Sequence, residues 1–167
     1  MAATGRFYVD FTVTGETAAA QKIQAMGMRV MNPMPAFTQI VKMMEDDIEE
    51  LFESEGASSG KPWAPLKPET IVQKIRKGQN VNILTATEGL RDSLTGGEGG
   101  ATKITPIGID FGSAATTESG INLAALHRGG TSKMPARDPV DFNPQQVLSY
   151  VKVLEHYIIE GLAGARV

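Results

Sequence analysis

The chain has 167 residues, 41% of them hydrophobic and 21% charged, with a formal net charge of −3. That length suits a single domain spanning 1–167, and the balanced composition excludes a disordered chain. The absence of cysteine removes disulfides, thiolate metal ligands and cysteine nucleophiles, and the slightly acidic balance removes a whole-chain basic footprint for nucleic acid.

No signal peptide is expected from MAATGRFYVDFTV, and no run approaches the roughly 20 apolar residues of a membrane span. Arg6 to Val13 alternates Phe7, Val9, Phe11 and Val13 against Tyr8, Asp10 and Thr12, the pattern of a strand with one buried face. Glu16 to Met31 reads as a helix, broken by Asn32-Pro33 and Pro35 because proline lacks a donor and clashes with the preceding turn. A second helix is predicted from about Ala36 to Ser54, with Phe37, Ile40, Val41, Met44, Ile48, Leu51 and Phe52 on one stripe. Its other face carries Glu45, Asp46, Asp47, Glu49, Glu50 and Glu53. This is a solvated face or a surface for a basic neighbour.

Glu55 to Gly60 has the composition of a mobile loop. Lys61 to Leu66 is stiffened by proline and holds Trp63, read as a hydrophobic plug for the loop or as a recognition patch. A short basic helix follows around Pro68 to Lys77. Lys61, Lys67, Lys74, Arg76 and Lys77 oppose the preceding acidic helix in sign. Such asymmetry serves either a salt-bridged helix pair within one subunit or a contact between subunits. Asn82 to Leu84 is a short apolar piece, Thr87 to Leu94 one or two helical turns, and Thr95 to Thr102 a mobile linker. Lys103 to Ser113 suggests a strand that Pro106 pushes to an edge or bulge. Ile121 to Arg128 reads as a short helix. The last helix starts with Asn143 as N-cap and Pro144 at its first position, and Val147, Val151, Leu154, Ile158 and Leu162 are its expected buried stripe. The predicted class is α+β, a small, mostly antiparallel sheet packed against several helices.

Recognisable chemistry is sparse. The glycine runs lack phosphate-loop spacing and no nucleophile elbow exists. His127 and His156 have no second histidine or cysteine at ligand spacing, so no metal site and no cofactor are expected. For His127 a structural hydrogen bond to the following loop is expected, and His156 is expected to face solvent or a packing seam. The enzymatic alternative is a small hydrolase using His127 and a nearby carboxylate, which requires a concave pocket there.

Gly60-Lys61-Pro62-Trp63-Ala64-Pro65-Leu66-Lys67-Pro68-Glu69-Thr70 resembles the G-x-x-W-x-P-L-x-x-x-T signature of the phage virion morphogenesis family, the tail-completion proteins of tailed bacteriophages. Lys74 in the next helix matches that family's lysine-containing helix. Ile83-Leu84 with Thr87-Glu88-Gly89-Leu90-Arg91-Asp92-Ser93 resembles its I-L-x-x-T-G-x-L-x-x-S motif, with Glu88 as an extra residue. Ala124-Ala125-Leu126-His127-Arg128-Gly129-Gly130 resembles A-x-x-H-x-x-G, and Met134-Pro135-Ala136-Arg137 supplies a proline-arginine turn. The resemblance covers roughly Leu51 to Leu162. Asp138-Pro139-Val140 replaces the family's usual aromatic, and Lys67 its common serine cap.

The resemblance implies a structural virion protein with no enzymatic role, added when the tail is completed or joined to the head. It implies a place in the virion, at the neck or head-proximal tail end, after assembly in the host cytoplasm. Implied partners are copies of itself in a ring, commonly six-fold, and neighbouring neck and tail proteins, without a membrane. A tail terminator capping the tube is the alternative. Phage DNA passing the neck could meet Lys61 to Lys77 or Lys103. Trp63, Pro65 and Leu66 would pin a stiff loop, Thr87 would cap the helix carrying Leu90, and Gly129 and Gly130 would allow unusual backbone angles. Arg137 would present its guanidinium to a neighbouring subunit's carboxylate. The acidic helix and the basic segment would be the two ring faces.

Overall fold

The computed structural model describes residues 15–161. The strand expected at Arg6 to Val13, and Leu162, lie outside them. The described elements are α1 (Glu16–Met31), α2 (Met34–Glu53), a 3-10 turn (Ala57–Ser59), α3 (Pro68–Arg76), α4 (Gly89–Leu94), β1 (Lys103–Thr105), β2 (Gly108–Asp110), α5 (Leu123–Gly129) and α6 (Pro144–Glu160). The fold is α+β: among the described residues, helices and a small two-stranded antiparallel sheet that packs against α2.

The amphipathic stripe of α2 organises the interior. Ile48, Leu51 and Phe52 meet Trp63, Ile83, Leu90 and Leu94 in one core cluster, while Ile40 meets Tyr150 and Val153 of α6 in a second. Phe142 packs against both clusters and stands edge-on to Tyr150, ring centroids 5.7 Å apart. Each large apolar side chain so buried stabilises the fold by roughly 1.5–3 kcal/mol relative to exposure.

Pro106 does not sit in an edge strand. It and Ile107 form the tip of a hairpin in which Lys103 pairs with Asp110, Ile104 with Ile109 and Thr105 with Gly108. A fixed φ suits proline to a turn, and the missing N–H costs nothing there. The two segments read as loose loops are hydrogen-bonded. Gly56 N–H donates to Leu51 O (2.8 Å) and Trp63 N–H to Glu55 O (2.8 Å); Gly97 N–H donates to Asp92 O (2.7 Å) and Ala114 N–H to Gly99 O (2.8 Å).

The start of α6 follows from its sequence: the Asn143 side chain accepts from the Gln145 and Gln146 N–H groups, and the Gln146 side-chain oxygen accepts from the Asn143 N–H. Its buried face differs from the expected stripe. Tyr150, Val153 and Tyr157 are buried, Leu154 and Ile158 half-buried, and Val147 and Val151 exposed. The tyrosines win the inward face because each ring is buried while its hydroxyl finds an acceptor, Asp47 for Tyr150 and Asn32 O (2.8 Å) for Tyr157. Burial, reinforced by the Asp47 bond, raises the Tyr150 pKa. His156 sits in a packing seam, with its Nε2 enclosed.

Helix α1 packs on α6 yet buries none of its residues. Beside the Tyr157–Asn32 bond and the Lys22–Glu160 ion pair (3.6 Å), Arg29 ties it there, donating to the Ile158 and Ile159 carbonyls (3.0 and 2.8 Å) at the C-terminal end of α6, where open carbonyls favour a cation.

Candidate functional site

Three separated stretches of the chain converge on one concavity of about 430 Å³. The loop after the 3-10 turn supplies Pro65 and Leu66, and α3 supplies Thr70 and Lys74. The connection into α4 supplies Leu84 and Thr87, with Leu90 below. From the far side come His127 of α5 and Lys133, Met134, Pro135 and Arg137 of the following loop.

Trp63 holds the first loop in place. It is buried and stands edge-on to Phe52, with ring centroids 5.3 Å apart at 84°. Its indole N–H donates to Asp138 O (3.0 Å), fastening the loop to the proline-arginine turn. Gly56 makes room: a Cβ there would lie 2.7 Å from Trp63 Cδ1, at a φ of 90°.

Arg137 fastens the opposite wall and corrects an expectation. It is 5% exposed and turned inward, not held out from the turn. Its Nε donates to Ala64 O (2.8 Å), its Nη2 to Pro65 O (3.2 Å) and its backbone N–H to His127 O (2.8 Å). The stiff Pro65 loop offers two open carbonyls, and the planar guanidinium answers both from within. Gly130 permits the turn leading there. Its φ is 62°, and a Cβ would lie 2.7 Å from Ala136 N and 2.9 Å from Met134 O. Gly129 is ordinary helix with open space around it.

Lys74 is likewise turned inward, 8% exposed, and so leaves the outward basic face. Its ammonium donates to Asn82 O. Burial lowers the pKa of Lys74 against the pull of Glu55, with Arg137 lowering it further. Burial also lowers Arg137, again opposed by Glu55. Glu55, which does not line the concavity, is thus the carboxylate whose charge opposes both shifts. It closes α2 in the left-handed region (φ 50°), and its Oε1 accepts from Ile83 N–H (2.9 Å).

Leu84 (φ 62°) and Glu88 (φ 58°) are also left-handed. Such conformations cost a non-glycine residue about 1 kcal/mol or more and persist only where surrounding contacts impose them. Glu88 shows what the extra residue of the second motif does. It takes the N-cap position of α4, no side chain caps that helix, and Thr87, expected to cap it, is displaced to the rim of the concavity. Gly89 begins the helix. Ser93 lies outside the concavity; its hydroxyl bonds Leu90 O within α4 (2.8 Å) and Ser113 Oγ in the segment after β2 (2.6 Å).

The expected imidazole bond from His127 to the loop is not made. Its Nδ1 is enclosed without a partner among the described residues, and only the backbone carbonyl engages the loop. Burial, then Arg137, lowers its pKa. The concave pocket that a hydrolase would need is there, but its described lining holds no carboxylate or serine, and neither lining threonine bonds the imidazole. Among the described residues, then, no hydroxyl or carboxylate is paired with His127 as a nucleophile would be with its base. Among the described residues no group of three histidines, cysteines or carboxylates could hold a metal.

The acidic face of α2 and the basic segment do not pair with each other in the described structure. Arg91 takes Glu49 in a two-pronged ion pair and approaches Glu53 (3.8 Å), while Lys42 takes Asp46 (2.8 Å). Glu45 lies over Gly96, and Glu50 remains exposed. Lys61 pairs with Asp141 (2.9 Å), and Lys67, Arg76 and Lys77 are exposed. The reason is local: α2 packs on α4, which brings Arg91 to it, whereas Lys74 draws α3 to the Asn82 loop.

The family model of phage virion morphogenesis proteins matches residues 15–158, nearly the whole described chain. The chain belongs to the phage virion morphogenesis family. Membership makes it a virion-associated structural protein of a bacteriophage. No curated protein and no solved structure matches it significantly.

Proposed function

We propose that this protein acts at the neck, the head-proximal end of the phage tail, in tail completion or head–tail joining. It works by contact within a ring of its own copies and with adjoining neck and tail proteins, and without catalysis. Apolar helix faces that the described residues leave exposed carry this reading. On α1, Ile23, Met28, Val30 and Met31 are all more than half exposed, and on α6 Val147, Leu148, Val151 and Ile159 are 45–47% exposed. Large apolar side chains gathered at the surface of two helices in this way support a protein contact. A closed ring needs two different faces per subunit. The exposed carboxylates Glu50 and Glu53 and the exposed cations Lys67, Arg76 and Lys77 support opposite signs on two of them.

Electron microscopy of lysates from phage lacking this gene tests the reading. Full heads beside separate tails of normal length are expected. Tails of abnormal length would favour a terminator instead, and intact infectious virions would refute both.

A further inference from the structure

The concavity described above has an unbalanced charge. Lys74 and Arg137 are buried in it, and each is hydrogen-bonded to backbone carbonyls, which satisfy donors without neutralising charge. The only carboxylate that acts on either among the described residues is Glu55, which also serves Ile83 N–H. Lys67 and Lys133 add cations at the rim, and no described lining residue is acidic. The rest of the wall is aliphatic: Leu66, Leu84, Leu90 and Met134. An apolar wall with converging cationic donors is the form of a site for a ligand both hydrophobic and anionic.

We propose that this pocket binds an acidic side chain flanked by aliphatic ones, carried on a segment of a neighbouring virion protein. Its carboxylate faces Lys74 and Arg137, and its aliphatic neighbours lie on Leu84, Leu90 and Met134. A nucleic-acid backbone fits less well, because its hydrated phosphates gain nothing from leucine walls. The nature of the partner rests on the virion-contact reading above; the chemistry of the pocket does not.

The first test is nuclear magnetic resonance titration of the full chain with hexanoate, hexan-1-ol and inorganic phosphate. Hexanoate should shift amides around Leu84 to Leu90 and His127 to Arg137, and bind at least about tenfold tighter than hexanol, the equivalent of ~1.4 kcal/mol. Lys74→Met keeps the aliphatic stem and should erase that preference. Because it also loses the bond to Asn82 O, the rim variant Lys133→Met provides a second reading and should weaken hexanoate alone. Equal binding of hexanol and hexanoate would overturn the proposal, as would phosphate binding as tightly as hexanoate. A blocked Leu-Glu-Leu peptide should bind more tightly than its Leu-Gln-Leu counterpart; indifference to that change would overturn a peptide ligand. None of these titrations needs assembly. Binding that persists while the gene-deletion experiment yields infectious virions would sink the functional reading and leave the pocket standing. The reverse pattern would sink only the pocket.

Discussion

Removing the Trp63 side chain should take away a large part of the protein's stability. The indole is 9% exposed, meets Phe52 edge-on at 5.3 Å and donates to Asp138 O at 3.0 Å, so it joins α2 to two loops at once. Truncating a buried tryptophan to alanine costs about 3–5 kcal/mol, against a total stability of roughly 5–15 kcal/mol for a domain. Trp63→Phe separates two contributions. It keeps much of the apolar contact but leaves the Asp138 carbonyl without its donor, a loss of about 1–2 kcal/mol. Urea unfolding followed by far-ultraviolet circular dichroism measures both, since the variants lack tryptophan fluorescence. At a slope of about 2 kcal/mol/M, the alanine variant should lower the midpoint by about 2 M and the phenylalanine variant by less than 1 M. If both unfold within about 0.5 kcal/mol of the parent protein, Trp63 is not the plug that fixes the pocket's first wall.

The adjacent glycines should respond in opposite directions. Gly130→Ala, blocked by Ala136 N and Met134 O, should lose about 2 kcal/mol or more, whereas Gly129→Ala in open helix should gain about 0.5–1 kcal/mol by thermal or urea unfolding. Glu88→Asn should raise stability by about 0.5 kcal/mol, because asparagine tolerates the left-handed conformation at φ 58° and caps helices well; a loss would mean that Glu88 is held there by contacts worth more than the strain. His127 should make the fold less stable in mild acid. Its pKa is lowered in the folded chain, so below about 6.5 the unfolded chain takes up the proton first, and stability present above that pH falls as pH drops toward the folded value. Burial and then the Arg137 charge are what disfavour the imidazolium. Stability against pH of His127→Gln should lack this component, and a profile matching the parent protein would contradict the assignment.

Helix positions were legible from the chain because local signals agree with tertiary packing. Asn143-Pro144 set the start of α6, Asn32-Pro33 the end of α1, and the three–four spacing of Ile48, Leu51 and Phe52 the buried face of α2. The face of α6 was not legible. Periodicity alone favours valines over tyrosines, while the structure rewards rings whose hydroxyls reach Asp47 and Asn32 O. The hairpin at Pro106-Ile107 looked like one strand because its two arms are only a few residues long. At the site, the motif residues were visible but their convergence was not. Lys74 and Arg137 look like surface cations in sequence, and only the carbonyls of Asn82, Ala64 and Pro65, brought close by the fold, explain why both point inward. Glu55 escaped notice for the same reason, since its partner Ile83 lies 28 residues away along the chain.

The proposed role is tested most directly by immunogold labelling of purified virions with antibodies raised against this chain. Label at the junction of head and tail is the expected result. Label spread along the tail or confined to its far end, or no label on virions at all, would contradict a protein that works by contact at the neck.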